Sequence, residues 1–201
     1  SDTYHSQSKA LVVNLGSVGD VAADLTSLDS DGFTFNWTLT DGTAYYFYAL
    51  CLKGGNYFIG ETIQPAAPAE VVVTNVGFRP AAVIAMGVCD STETPSAAAQ
   101  ARLSFGMAVS PTSQAARWTG SRDAADPSIN DNAYDPSAFI TMWTEGTPTK
   151  DAEAALTAIG TGGFTLNWTT ADATQRRSLF LAIGPAFGGG GGGGSGGHPP
   201  G

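Results

Sequence analysis

The sequence predicts an all-β protein made of two related, jelly-roll-like β-sandwich lobes, the first of them incomplete. The first observation is an internal repeat: GFTFNWT, from Gly32 to Thr38, returns as GFTLNWT from Gly163 to Thr169, 131 positions later. Aromatic and polar residues alternate in this run, as they do in a half-buried strand. The composition agrees, because 26 glycines and only 13% charged residues are typical of a turn-rich β-protein with an uncharged polar surface.

Turn signals flank the repeated strand. Asp29-Ser30-Asp31-Gly32 predicts a turn before it, and Thr40-Asp41-Gly42-Thr43 after it contains Asp-Gly, the strongest short hairpin signal. Ala44 to Leu52 is an almost continuous aromatic and apolar run. We therefore predict a hairpin between residues 33–38 and 44–52, with an equivalent in the second copy that ends at Ile183.

Apolar runs and β-branched residues predict the remaining strands. These strands are expected at residues 11–15, 21–28, 57–63, 70–74, 81–88, 102–109 and 139–143. A loop or short helix is expected from Asp90 to Ala101. The interval from Gly120 to Ser137 is rich in Asp, Asn, Pro and Ser, which predicts a long loop of the kind that often forms a binding surface.

The repeat also predicts how the chain is divided. Residues 10–54 have a counterpart in residues 139–184, whereas residues 55–138 occur once. The expected parts are an N-terminal arm (1–9), a half repeat unit (10–54), a full repeat unit (55–187) and a glycine-rich tail (188–201). Because a lobe that lacks strands has open edges that can pair, we expect the first lobe to be completed by strands of the other lobe or of another subunit.

The charge balance argues against some partners. With 18 acidic and 9 basic residues and a pI of about 4.4, the chain lacks the basic stripe that a nucleic-acid partner needs. No run approaches the roughly 18 apolar residues of a membrane span, and the first residues lack the features of a signal peptide. We expect no nucleic-acid partner and no membrane span.

The sequence offers little for catalysis. The only histidines, His5 and His198, lie in the terminal arms, so a nucleophile–histidine–acid triad is not expected. The repeat contains two pairs of carboxylates, Asp20 with Asp151 and Asp41 with Asp172. A carboxylate pair could hydrolyse a glycoside, but these positions are turns and strand ends where Asp usually makes local hydrogen bonds. No catalytic, cofactor-binding or metal-binding residue is predicted.

The Gly120–Ser137 interval supplies a candidate ligand loop. Its candidate residues are Asp123, Asp126, Asn130, Asp131 and Tyr134. Such oxygen ligands could hold calcium, but no EF-hand spacing is present, so a solvated loop is favoured. The tryptophans, at positions 37, 118, 143 and 168, could stack on sugar rings, although packing in the core is the favoured interpretation.

The chain ends are expected to make assembly contacts. The run from Gly188 to Gly194 is a flexible coil in isolation, so it becomes ordered only against a neighbouring chain; an expression remnant is the alternative. The expected contact residues are Ser1, Tyr4, His5, Gly188, Gly194, His198 and Pro199. The two cysteines, Cys51 and Cys89, are predicted to be small buried hydrophobic residues, with a disulfide between neighbouring strands as the alternative.

Four runs carry a family likeness: TNVGFRPAAV from Thr74, LSFG from Leu103, GFTLNWT from Gly163 and LFLA from Leu179. Together they resemble a repeat that occurs in tandem in phage virion proteins and phage-related bacterial proteins. The resemblance covers about residues 10–185. It implies an external virion component, such as a decoration, fibre or tail-associated protein. The half unit and the glycine-rich tail depart from the family pattern.

The expected function is therefore that of a non-enzymatic structural protein on the exterior of a bacteriophage particle. It would act through contacts with copies of itself and with other virion proteins. Two alternatives stay open at this point: a carbohydrate-binding or adhesion module that holds a cell-surface glycan, and a subunit of an extracellular bacterial filament held by strand exchange.

Overall fold

A computed structural model describes residues 8–13, 21–88, 100–122, 129–144, 146–147, 149–173 and 175–185. Within these ranges all regular secondary structure is β-strand, which confirms the predicted all-β class. The strands are β1 (Leu11–Val13), β2 (Val21–Leu28), β3 (Phe33–Leu39), β4 (Tyr57–Ile63), β5 (Ala69–Val73), β6 (Ala82–Val88), β7 (Gln100–Ser110), β8 (Ser113–Arg122), β9 (Ile129–Asp135), β10 (Ile140–Trp143), β11 (Lys150–Gly160), β12 (Gly163–Thr170) and β13 (Arg177–Ile183).

The strands form three antiparallel sheets. The first half unit supplies a three-stranded sheet with the order β1-β2-β3. The rest of the chain supplies a four-stranded sheet, β10-β11-β12-β5, and a six-stranded sheet, β4-β13-β6-β7-β8-β9. We call the first sheet together with residues 44–52 the first lobe, and the other two sheets the second lobe.

The second lobe is a sandwich whose two sheets pack face to face around one apolar core. Its strands alternate as predicted: in β12, Phe164, Leu166 and Trp168 are buried while the residues between them are partly exposed. Rings meet across the core, with the centroid of Phe164 5.0 Å from that of Phe180 in an edge-on contact. The interpretation of the tryptophans as core residues is confirmed for Trp168 and Trp118 and is wrong for Trp37, which is 42% exposed.

The repeat in the sequence is also a repeat in the structure. Strands β2 and β3 pair in the same register as β11 and β12, and both pairs have register shifts at the same two places. The equivalent pairings include Ala23 with Trp37 and Ala154 with Trp168, and Leu25 with Phe35 and Leu156 with Leu166. The first lobe therefore reproduces one sheet of the second lobe, apart from the strand that corresponds to β5.

The predicted hairpin between residues 33–38 and 44–52 is wrong. In the second copy β12 and β13 belong to opposite sheets, so the chain between them crosses the sandwich instead of turning back within one sheet. Strand β13 lies between β4 and β6. The described residues contain no second pair of such strands around residues 44–52, and this segment forms no strand.

The predicted loop at residues 120–137 is also wrong for the part that the structure describes. Strand β8, which the sequence does not predict, continues to Arg122 and pairs with β9, so the described part of the interval consists largely of two paired strands. Its polar composition is that of an edge strand with one face in solvent: Asn130, Asn132 and Tyr134 are exposed. The predicted loop or helix at 90–101 lies mostly outside the described residues, and its last two residues belong to β7.

Candidate functional site

The main candidate site is an apolar surface that the second lobe covers and the first lobe leaves open. Trp168 is 1% exposed, whereas its repeat equivalent Trp37 is 42% exposed. Leu156 is fully buried, whereas its equivalent Leu25 is 45% exposed. Equivalent side chains on equivalent strands are thus buried in the second lobe and exposed in the first lobe. In the second lobe the six-stranded sheet covers them; the first lobe has no such sheet among the described residues.

Residues 44–52 extend this surface. The ring of Phe47, which is 39% exposed, lies 5.4 Å from that of Trp37. Phe47 and Cys51 correspond to Ser178 and Ala182, which are buried in the second lobe, whereas Tyr48 corresponds to Leu179, which is 50% exposed there. We call the whole set the open face. It consists of Leu25, Leu28, Phe33, Phe35, Trp37, Leu39, Phe47 and Cys51.

Cys51 lies within the same segment and is an exposed free thiol. The prediction that it is buried is therefore wrong, and its alternative, a disulfide, is absent at this residue. The reason is again the missing partner strands, because its repeat equivalent, Ala182 in β13, is fully buried between β4 and β6. Cys89 lies outside the described residues.

The edge of β3 is open as well. Strand β12 pairs with β5 on this edge, whereas β3 pairs only with β2 in the described part of the chain. Gly163 lies so close to β5 that a Cβ there would stand 1.8 Å from the carbonyl oxygen of Val73. At Gly32, its repeat equivalent, a Cβ would meet nothing within 4 Å. The glycine that allows close approach of a strand is present in both copies, but among the described residues a strand lies beside it only in the second copy.

The residues predicted to make assembly contacts are not described. Ser1, Tyr4 and His5 fall outside the described residues, and so do Gly188, Gly194, His198 and Pro199. Their contacts stay a prediction. The structure places the open surface of the first lobe elsewhere, on β2, β3 and residues 44–52. The signal in the sequence is that residues 55–138, which supply most of the six-stranded sheet, occur only once in the chain.

The candidate ligand residues do not converge on one loop. Asp123 and Asp126 lie outside the described residues, while Asn130, Asp131 and Tyr134 lie on β9. Because side chains alternate along a strand, Asn130 and Tyr134 lie on the exposed face of β9. Asp131 lies on the inner face, towards the four-stranded sheet. Only Asp131 lines a concave site.

That site is a cleft of about 330 Å³ at the edge of the sandwich, between β9 and the connection from β10 to β11. Its lining residues are Trp118, Asp131, Asn132, Ala133, Trp143, Thr144, Gly146 and Thr147. The connection is held on β9 because the backbone N–H of Gly146 donates to Oδ2 of Asp131. Gly146 has a φ of 74°, a conformation that favours glycine. This turn and the hydrogen bond to Asp131 hold the β10–β11 connection against β9.

An ionic cluster lies beside the cleft. The carboxylate of Asp135, 7% exposed, accepts hydrogen bonds from the backbone N–H of Ser137 (2.9 Å) and from Nζ of Lys150 (2.5 Å). Lys150 also pairs with Glu153, and its Nζ lies 5.4 Å from the ring centre of Trp143, a cation–π contact. The cluster therefore fixes the position of one tryptophan of the cleft.

Burial and hydrogen bonding oppose each other in this cluster. Burial by itself raises the pKa of Asp135, but hydrogen bonds from Lys150 and Ser137 outweigh it and hold the pKa well below its ordinary value of 3.8. For Lys150, burial lowers the pKa, while its hydrogen bonds to Asp135 and Glu153 outweigh burial and raise it above 10.5. Asp135 is therefore ionised above pH 3.8, and Lys150 stays protonated up to pH 10.5.

These shifts predict an acid-sensitive contribution to stability. Because the folded pKa of Asp135 is depressed, its contribution is present above about pH 3.8 and is lost as the pH falls towards the lowered value. We expect Asp135→Asn to lower the free energy of unfolding by about 2 kcal/mol at pH 7 and by clearly less at pH 2. Denaturant titrations of both proteins at the two pH values measure this, and an equal difference at both would contradict it.

Two carboxylates of the repeat, Asp41 and Asp172, make local contacts, whereas Asp151 pairs with Arg102 of β7 at 3.5 Å. Oδ1 of Asp41 accepts the backbone N–H of Thr43 at 2.6 Å, and Asp172 pairs with Arg176 at 2.5 Å. These are the turn roles that the sequence predicts for Asp41 and Asp172; Asp20 lies outside the described residues. In the described ranges no three His, Cys, Asp or Glu side chains group closely enough to hold a metal ion.

The described residues contain no helix with the length and apolar character that a membrane crossing requires. Comparisons with known proteins identify no relative of this chain. No family model, no curated protein and no solved structure matches the chain.

Proposed function

We propose that this chain is a non-enzymatic structural protein that assembles with copies of itself through the open face and the free edge of β3. The observation that carries the proposal is the contrast between the two lobes. One sequence motif forms one set of strands twice, and only one of the two sets has its apolar side covered. Exposed contiguous apolar surface of this kind marks interaction sites.

A second copy suits this surface for two reasons. Two three-stranded sheets can pack face to face about a two-fold axis, so that the same apolar residues fill both sides of a new core. The room beside Gly32 also lets another backbone approach β3 as closely as β5 approaches β12. The open face offers apolar surface to bury, and the free edge of β3 offers backbone hydrogen bonds.

The setting that we propose is the exterior of a phage particle. Its support is the resemblance of the GFTLNWT, TNVGFRPAAV, LSFG and LFLA runs to the tandem repeat of virion proteins. An external lattice protein gains stability from its neighbours, and an incomplete sandwich lobe is a means of making a folded contact with them.

Sedimentation at increasing protein concentration tests the proposal. We expect the chain to form dimers or larger species at tens of micromolar, because burying several large apolar side chains contributes roughly 1.5–3 kcal/mol each. Leu28→Asp is expected to weaken association at least about tenfold, since the loss of one buried leucine is worth about 1.4 kcal/mol or more. Leu28 is 79% exposed, so the monomer should still fold.

The matched control is Val109→Asp, at an apolar residue of the second lobe that is 57% exposed on β7. It adds the same charge outside the open face, so association should be unchanged. A wild-type chain that stays monomeric at hundreds of micromolar, or equal effects of the two variants, would refute the proposal.

A further inference from the structure

We propose that the six-stranded sheet, on the side that points away from the core, packs against the same side of a second copy about a two-fold axis along β6. This surface belongs to the second lobe and shares no residue with the open face. It is therefore a second self-contact, beyond the assembly proposed above.

Cross-strand pairing arranges this side of the sheet in two rows, each five strands wide from β4 to β8. The first row is apolar throughout: Ile59, Leu181, Ile84, Met107 and Ala115. The second row is apolar in the middle and carries opposite charges at its ends: Glu61, Leu179, Met86, Phe105 and Arg117. We call these two rows the outer face. Val109 lies outside it, in the bulge of β7 past the last residue that pairs with β6.

The exposed apolar side chains of the second lobe are concentrated on this sheet. Among the described residues of that lobe, Val72 of β5 is the one large exposed apolar residue that lies elsewhere. The outer side of β12 in the opposite sheet is polar, since Thr165, Asn167 and Thr169 alternate with its core residues. One outer surface of the sandwich therefore suits solvent, and the other has the character of an interaction site.

The sequence of β13 shows how this surface arises. Its Ser-Leu-Phe-Leu-Ala-Ile run is almost continuously apolar: Phe180 and Ala182 are buried in the core, while Leu179 and Leu181 point outward. Such runs are typical of strands that are buried on both faces. The described residues cover the inner side of β13 and leave Leu179 50% exposed, so the strand has the composition of one that a further layer covers.

The charges of the second row indicate which partner supplies that layer. A two-fold axis along β6, in the plane between two facing copies, lays β4 of each copy over β8 of the other. Glu61 then faces Arg117 of the second copy, and this pair occurs twice. Arg117 is exposed and makes no ion pair among the described residues, and the side chain of Glu61 is 49% exposed. Complementary charges of this kind fix the register of a contact.

The apolar residues obey the same symmetry. The axis lays β13 of each copy over β7 of the other, so Leu179 faces Phe105, while Met86 faces its own equivalent. In the first row Leu181 faces Met107 in the same way. A two-fold contact requires a surface that is complementary to itself, and both rows meet this condition about β6.

The composition of the outer face agrees with a protein–protein contact. Its centre contains Met86, Met107 and Phe105, and methionine and aromatic residues are enriched in interfaces. On the same side of the sheet β9 exposes Asn130 and Asn132, which supply part of a polar rim. Two such sheets can pack about 10 Å apart, as the layers of β-sandwiches do.

Two separate contacts determine what the assembly can become. If the open face joins one neighbour and the outer face joins another, each chain has two neighbours and growth does not stop at a dimer. This consequence rests on the proposed function, whereas the contact through the outer face does not.

Sedimentation of the Leu28→Asp variant tests the outer face by itself, because that change disables the open face. We expect dimers at hundreds of micromolar and no larger species. Adding Met86→Asp places two carboxylates against each other on the axis, so the dimer should weaken at least about tenfold. Val72→Asp is the matched control, because Val72 is exposed on the opposite sheet, and it should leave the dimer unchanged.

A second change keeps the test decisive if Met86→Asp does not fold. Arg117→Glu alters an exposed residue and puts an acid opposite Glu61, so it should also weaken the dimer. Cross-linking locates the axis: in a Leu28→Asp, Cys51→Ser, Cys89→Ser background, Met86→Cys should be joined to its equivalent by a bis-maleimide that spans about 10 Å. Val72→Cys in the same background should not be joined.

The outcomes separate this contact from the open face. A Leu28→Asp chain that stays monomeric at hundreds of micromolar would overturn the proposal and leave the proposed function standing; it is also the result expected if the open face of a neighbour covered the outer face. Equal weakening by Met86→Asp and Val72→Asp, or a dimer in which Met86→Cys is not cross-linked, would overturn it too. Wild-type association that Met86→Asp abolishes and Leu28→Asp leaves unchanged would refute the proposed function alone.

Discussion

Gly163→Ala is expected to lower the free energy of unfolding by about 3 kcal/mol or more, whereas Gly32→Ala is expected to change it by less than about 1 kcal/mol. A Cβ at Gly163 would stand 1.8 Å from the carbonyl oxygen of Val73, and backbone cannot move aside as a flexible side chain can. At Gly32 the same atom meets nothing within 4 Å. Neither glycine has a positive φ, so the contrast is steric.

Denaturant titration of the two variants at a concentration where the chain is monomeric measures this contrast. The pair is matched because both glycines precede the same Phe-Thr dipeptide in the same repeat. At high concentration Gly32→Ala should also weaken association, since it fills the space that a neighbouring backbone would use. Equal destabilisation by both changes would mean that β3 already has a partner like β5 within its own chain.

Trp168→Ala is expected to cost about 4 kcal/mol, because it leaves a large cavity in the core of the second lobe. Trp37→Ala should cost at most about 2 kcal/mol in the monomer, since Trp37 is already 42% exposed and has less buried surface to lose. Its larger effect should be on association. Thermal unfolding and sedimentation of both variants separate these two effects.

The two tryptophans occupy equivalent places on β3 and β12, opposite Ala23 and Ala154. The two tryptophans therefore contribute equally to strand formation. They differ only in whether a second sheet covers their side chains. If Trp37→Ala destabilised the monomer as much as Trp168→Ala, the open face would have to be buried within a single chain, contrary to the exposures observed.

The sequence predicted the strands well because alternation and β-branched runs depend on local neighbours. Residues 44–52 show where that reasoning ends. Their aromatic and apolar pattern is that of a strand, and their repeat equivalent is one, but a strand also needs partners that hydrogen-bond to it. The strands that hold the repeat equivalent, β4 and β6, pair with β13 instead, so no pattern within residues 44–52 could show the difference.

The sites were predictable in part. Asp131 was predicted to belong to a ligand loop, but it lies on an edge strand whose successive side chains point to opposite sides. Trp118 and Trp143 were considered as sugar-stacking residues, yet their meeting in one cleft depends on the packing of two sheets. The asymmetry of the two lobes was visible as a missing half unit; which residues it exposes was not, because exposure depends on what covers each strand.

The most direct test of the central claim uses Cys51, the exposed thiol within the open face. In a Cys89→Ser background it is the only thiol of the chain, and its rate of labelling by a maleimide reports whether the face is covered. We predict rapid labelling of the dilute monomer and labelling at least about tenfold slower at concentrations where the chain associates. Association that leaves this rate unchanged, or no association at any concentration, would show that the open face is not where these chains meet.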